Sequence, residues 1–164
     1  MIYIPAEKIN LRAPYHVKQV DDSVFVFITK HGISYTVGFI PDTSFMEKGV
    51  YQFFLTKTSG KKGRKDEEIY ETVRVIIEEF FAQEESVMLY ICDTTDGRQA
   101  SRDRLFRAWF YAYIESTAYT MCTDTMIIDN IRYFSSIILR NDHPMHNQVL
   151  NKFHDFIAEH TQEK

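Results

Sequence analysis

Residues 87–113 read VMLYICDTTDGRQASRDRLFRAWFYAY: an apolar run, a polar turn, then a stretch rich in arginine and aromatic side chains. Residues 87–92 are apolar without alternation and too few for an ordinary helix, which is how a strand covered on both faces reads. Asp93, Thr94, Thr95, Asp96 and Gly97 follow. Their short polar side chains and one glycine free in φ suit a tight strand-to-helix turn, with Asp96 or Thr95 as the cap. A helix starts near Arg98 and runs to about Ser116. A central strand feeding a helix is the element around which the remaining segments arrange themselves.

At about 100° per residue, Leu105, Phe106, Trp109, Ala112 and Tyr113 share one apolar stripe, and Arg98 and Arg102 fall on it too. Arg104, Arg107 and Tyr111 point the other way. Two arginines on the inward side of a helix N-terminus are disfavoured twice, by the positive end of the helix dipole and by the cost of burying a guanidinium. Something negative belongs beside them. Two partners fit: Asp93 and Asp96 of the adjoining turn, as a buried structural ion pair, or a bound phosphate or carboxylate. The structural pair is the plainer of the two, since ion-pair networks often mimic functional sites.

The run C-D-T-T-D-G-R-Q-A-S-R-D-R-L-F-R-A-W-F, residues 92–110, resembles the signature of a family of short bacterial proteins classed as a domain of unknown function. The likeness extends to G-I-S-Y-T-V-G-F upstream, to D-E-E-I-Y-E-T-V before the first helix and to S-S-I-I-L-R-N-D-H-P before the last, and so covers the chain from about residue 31. It implies a compact bacterial domain and carries over no activity and no catalytic residue.

A length of 164 residues fits a single domain, 1–164, large enough to bury about two thirds of its unfolded surface. Cys92 and Cys122 are far apart and lack metal-type spacing, and the N-terminus MIYIPAEKIN has neither a basic n-region nor an apolar h-region. A reduced, cytoplasmic setting is expected. No apolar run approaches the ~18 residues that span a bilayer, so a soluble protein without a membrane partner is expected. The net charge of −4 and pI near 5.9 argue against a general nucleic-acid binder.

Taken in order, residues 1–23 carry Pro5 and Pro14 and few periodic apolar positions, and read as an irregular or short-strand lead-in. Residues 24–29 and 33–40 form a hairpin, the second run alternating Ile33, Tyr35, Val37 and Phe39 against Ser34, Thr36 and Gly38. A third strand covers residues 50–57. Residues 57–65, KTSGKKGRK, read as a mobile, solvated loop, and the spacing of a phosphate-binding P-loop is absent. Asp66 caps a helix whose inward positions are Ile69, Val73, Ile76, Ile77, Phe80 and Phe81. Beyond the central strand and its helix, residues 125–128 and 131–139 flank Asp129 and Asn130 as a second hairpin. Asp142 then caps a last helix with Met145, Val149, Phe153, Phe156 and Ile157 buried. The order βββ-α-β-α-ββ-α with about three helices is an α+β domain with a mixed, mostly antiparallel sheet and helices mostly on one face.

His143 and His146 are spaced for shared metal ligation, but no cysteine lies near, so no metal and no cofactor is expected; His143 suits a cap and His154 an exposed or edge position. Cys92, at the end of the central strand, has no base that the sequence places beside it, and reads as a small buried residue. Two functions remain. One is a binding or interaction protein for a protein partner or a small anionic ligand. The alternative is a phosphate-ester hydrolase or nuclease-like enzyme using Asp93, Asp96, Arg98 and Arg102. The binding protein is preferred, because the enzyme lacks a complete constellation. Phe110 and Tyr111, projecting off the main stripe of their helix, suggest a homodimer.

Overall fold

The computed structural model describes residues 2–60, 65–83, 85–92, 97, 99–114 and 117–161, with the backbone alone for residues 99, 101, 102 and 113. Along it run α1 (Ala6–Asn10), β1 (Lys18–Asp21), β2 (Val24–Ile28), β3 (Ser34–Pro41), β4 (Val50–Ser59), α2 (Glu67–Phe81), β5 (Val87–Ile91), α3 (Gln99–Tyr113), β6 (Tyr119–Ile128), β7 (Ile131–Arg140) and α4 (His146–His160). The strands are hydrogen-bonded in the order β1-β2-β3-β4-β5-β7-β6. β4 and β5 run parallel, while β1–β2, β2–β3, β5–β7 and β6–β7 are antiparallel. This is the α+β class with the mixed, mostly antiparallel sheet that the sequence implies, augmented by α1 and β1 in the lead-in. The chain divides into two compact units, Met1–Ile40 with Phe53–Glu84, and Pro41–Gln52 with Glu85–Lys164.

In the first unit, side-chain to backbone bonds hold the lead-in. Asn10 donates from Nδ2 to the Val17 carbonyl at 3.0 Å and accepts the Val17 N–H at 2.8 Å. Gln19 likewise donates to the Ile4 carbonyl and accepts from the Ala6 N–H. Bonds of this kind leave no apolar periodicity, which is why α1 is invisible in the sequence. β2 alternates, with Phe25 and Phe27 buried and Ile28 64% exposed, and in β3 Val37 and Phe39 of the expected inward face are buried together with Gly38 between them. Phe39 stacks on Phe80 of α2, ring centroids 4.1 Å apart. Asp66 caps α2, its Oδ1 accepting the Glu68 N–H at 3.0 Å. Gly38 lies where a Cβ would stand 2.6 Å from the Ser23 carbonyl oxygen, so the β2–β3 approach admits no side chain there. β4 continues to Ser59, beyond the expected end at residue 57, with Thr58 Oγ1 donating to the Ser34 carbonyl at 3.1 Å. Residues 61–64 of the basic stretch lie outside the described residues.

In the second unit β5 lies between β4 and β7, and Val87, Met88 and Leu89 are all buried, as a central strand requires. Leu89 joins Val50, Val87, Ile137, Leu139, Val149, Phe153 and Ile157 in the core beneath α4. Tyr90, the next residue and therefore on the opposite face, stacks on Phe106 of α3 at 3.9 Å. The helices of this unit thus flank opposite faces of its strands instead of sharing one. The second hairpin closes over Asp129 and Asn130, whose φ angles of 52° and 65° match a two-residue type I′ turn.

Two expectations are corrected here. Among the described side chains of α3, Asp103, Phe106 and Phe110 are buried, as is Ile114 just after the helix; Leu105 is 71% exposed and Ala112 also faces water. Phe110, expected to project outward, is 1% exposed, and only Tyr111 projects as expected. Apolar and aromatic residues surround this helix, so periodicity alone does not choose its inward side. The contacts of Phe106 with Tyr90 and of Phe110 with Tyr119 choose it. At the other end of the unit Asp142 does not cap α4, which starts at His146. Asp142 instead accepts from Arg140 Nε and Nη2 at 2.9 and 2.7 Å, and the Met145 N–H donates to His143 Nδ1 at 3.0 Å. Val149, Phe153 and Ile157 are buried as expected, but Met145 is largely exposed.

Candidate functional site

Of the residues expected to form an Asp/Arg cluster, Asp93, Asp96 and Arg98 lie outside the described residues, as does the side chain of Arg102. A buried acid does occur on α3, at a position the sequence did not single out. Asp103 is 1% exposed and its Oδ2 lies 2.9 Å from Arg107 Nη2, one helical turn on. Cys92 is buried directly after β5, as a small residue closing an apolar strand.

The histidines do not converge. His143 is nearly buried, with Nδ1 accepting the Met145 N–H and Nε2 lying 3.2 Å from the Glu85 carbonyl, which it reaches as donor. It stands two residues before the N-cap of α4, Met145, and makes no side-chain cap bond to the helix, contrary to the capping role expected of it. His146 turns instead to Thr120, its Nε2 lying 2.8 Å from the Thr120 hydroxyl. Among the described residues no group of three or more His, Cys, Asp and Glu side chains is arranged to hold a metal ion.

The constellation with chemical content lies where α4 crosses β6. Thr120, Cys122 and Asp124 alternate onto one face of β6, the face that α4 covers. His154 of α4 stands between the last two: its Nε2 is 3.2 Å from Cys122 Sγ and its Nδ1 is 3.0 Å from Asp124 Oδ2. The carboxylate accepts only, so Nδ1 carries the proton and Nε2 presents a lone pair to the thiol. The other Asp124 oxygen accepts the Thr125 N–H at 2.8 Å, which fixes the carboxylate in turn. Burial pushes the Cys122 thiol above its ordinary range and the Asp124 carboxylate adds to the shift, so at rest the sulfur holds its proton. Cys122 is half-buried and His154 about half exposed, so the group is accessible from water.

Sequence reasoning missed this group for a physical reason. The i, i+2 relation of Cys122 and Asp124 carries meaning only on a strand, and residues 119–124 have no clear alternation. Nothing local links them to a histidine about 30 residues away whose position depends on how α4 packs. A strand assignment through residue 119, combined with the exposed position expected for His154, was the available signal.

β6 is also the last strand of the sheet, and none of its residues is fully buried. A two-residue turn makes Ile128 and Ile131 a hydrogen-bonded pair, so the even-numbered residues of β6 turn their backbone groups toward β7. The Asn141 N–H donating to the Ala118 carbonyl at 2.9 Å keeps that parity. Met121 and Thr123 therefore direct N–H and C=O away from the sheet, whereas the Thr125 N–H is occupied by Asp124. Among the described residues no strand pairs with this outer side.

No helix of the described residues is long and apolar enough to cross a membrane. A search of curated proteins finds no relative of this chain. A family model described as a family of unknown function, DUF6169, matches residues 65–155. The match takes in the 92–110 run, α2, and most of α4, while the likeness noted for residues 31–64 lies outside it. Since it spans more than half of the 164 residues, the chain belongs to this family of unknown function.

Proposed function

We propose that the chain is an interaction protein that takes up an extended polypeptide segment as an added strand along β6. The observation that carries this reading is the outward direction of the Met121 and Thr123 backbone groups on a ten-residue terminal strand. Monomeric proteins protect such edges with proline, lysine or bulges. YTMCTDTMII has none of these and one charge, Asp124. Main-chain hydrogen bonds would supply the affinity, and the alternating side chains of Thr, Met and Ile would favour a partner segment rich in β-branched residues and poor in acids. Cys92 and Cys122 are not joined in a disulfide, in keeping with a reduced, cytoplasmic setting. The alternative, phosphate-ester hydrolysis through Asp93, Asp96, Arg98 and Arg102, rests on three residues and one side chain that lie outside the described ones.

Proline at an outward position removes a donor that the β6–β7 ladder does not use. Thr123→Pro should therefore leave melting close to that of the unaltered chain and weaken, by about tenfold or more, the binding of displayed decapeptides selected on the unaltered chain. Selected peptides indifferent to Thr123→Pro, or a selection that enriches none, would overturn the reading. A dimer in sedimentation that Thr123→Pro converts to monomer would identify the added strand as β6 of a second copy.

A further inference from the structure

We propose that Cys122, His154 and Asp124 form a nucleophilic site that accepts an acyl group from a carboxylic ester or amide onto Cys122. This goes beyond strand capture and does not depend on it. The three side chains make one continuous relay, Sγ to Nε2 at 3.2 Å and Nδ1 to Oδ2 at 3.0 Å, within the separations at which a base activates a nucleophile and a third group orients the base. The connectivity matters more than the proximity. His154 meets the thiol with one ring nitrogen and the carboxylate with the other, so Asp124 selects the tautomer in which Nε2 is free to accept the Cys122 proton.

The roles follow from the atoms. Nε2 of His154 takes the thiol proton as Sγ attacks the carbonyl carbon, forming a C–S bond. Collapse of the tetrahedral adduct breaks the C–O or C–N bond, and the imidazolium returns the proton to the leaving alcohol or amine. Water, deprotonated by the same Nε2, then opens the thioester; the carboxylic acid leaves and Cys122 regains its proton. Asp124 touches neither substrate nor leaving group and is a positioning residue. The protonated resting thiol is consistent with this sequence, since the nucleophile is generated by transfer to His154 and not held beforehand as a thiolate.

The test uses the full chain and 4-nitrophenyl acetate. The expected result is one equivalent of 4-nitrophenolate released in a burst, with a single acetyl group mapped by mass spectrometry to Cys122. His154→Gln should slow that acetylation on the order of a hundredfold, the scale of general-base assistance. Asp124→Asn should slow it about tenfold. It should also move the ¹⁵N shifts of His154 away from the Nδ1–H tautomer, which loss of packing alone would not do. Melting curves of both variants check that they are folded. The proposal is overturned if the acetyl group maps to lysines or to Cys92, or if folded His154→Gln is acetylated at Cys122 as fast as the unaltered chain. An unshifted His154 tautomer in Asp124→Asn would remove Asp124 from the site.

Discussion

Asp103 and Arg107 of α3 meet at 2.9 Å with the carboxylate almost wholly buried and the guanidinium partly in water. The contact is one of charge: among the described residues no donor is aligned for a hydrogen bond to either Asp103 oxygen. Removing the arginine strands a buried carboxylate, whereas removing both members leaves an apolar patch. Arg107→Met should therefore cost about 1–3 kcal/mol, lowered by the solvent already at the guanidinium, and Asp103→Leu with Arg107→Met should cost less than Arg107→Met alone. Chemical denaturation of the single and double variants measures this; a double variant less stable than the single one would show that the pair is a net stabiliser.

The orientation of α3 is checked by two truncations. Phe106→Ala removes a ring packed on Tyr90 and should cost about 3–5 kcal/mol. Leu105→Ala, at a position 71% exposed, should stay within about 0.5 kcal/mol. The stripe expected from periodicity alone makes both large.

Gly38→Ala should destabilise by about 1–3 kcal/mol, because the new methyl group meets the Ser23 carbonyl oxygen, an atom of the backbone that can yield only by opening β2 from β3. A melting temperature equal to that of the unaltered chain would show that the two strands separate there at little cost.

Stability should fall on the alkaline side. Burial raises the Tyr15 pKa above its ordinary value of 10.0, and the hydrogen bond its hydroxyl donates to Asp66 adds to it. A phenol whose folded pKa exceeds its unfolded one contributes stability that is complete below about pH 10 and is lost as pH rises through the folded value. Tyr35 is raised in the same direction, by burial first. Tyr15→Phe should accordingly flatten, without abolishing, the decline of the denaturation midpoint above pH 10, and an unchanged slope would show that the Tyr15 pKa is alike in both states.

Legibility in the sequence followed the range of the forces involved. α2 was readable because its cap, its acidic first turn and its apolar stripe all lie within 16 residues, Asp66 through Phe81. The β6–β7 turn was readable because Asp129 and Asn130 tolerate the left-handed backbone that it needs. α1 was not, since Asn10 and Gln19 hold the lead-in through backbone groups that any sequence possesses. The side of α3 was not, since Phe106 and Phe110 differ from Leu105 and Trp109 only in what lies opposite them. The Cys122–His154–Asp124 relay belongs with these: each pair is local to the packing of α4 on β6 and remote in sequence.

The place of β5 also bears on how the chain reaches its native state. Its neighbours arrive from opposite directions along the sequence, Val87 pairing with Val50 on one side and Leu139 on the other. The β6–β7 hairpin closes over two residues and so incurs a small loop entropy, whereas both contacts of β5 close much longer loops. The hairpin should be formed in the rate-limiting transition state, with β5 clasped late. Conservative truncations such as Ile138→Val should then slow folding nearly as much as they destabilise, while Leu89→Ala should chiefly speed unfolding.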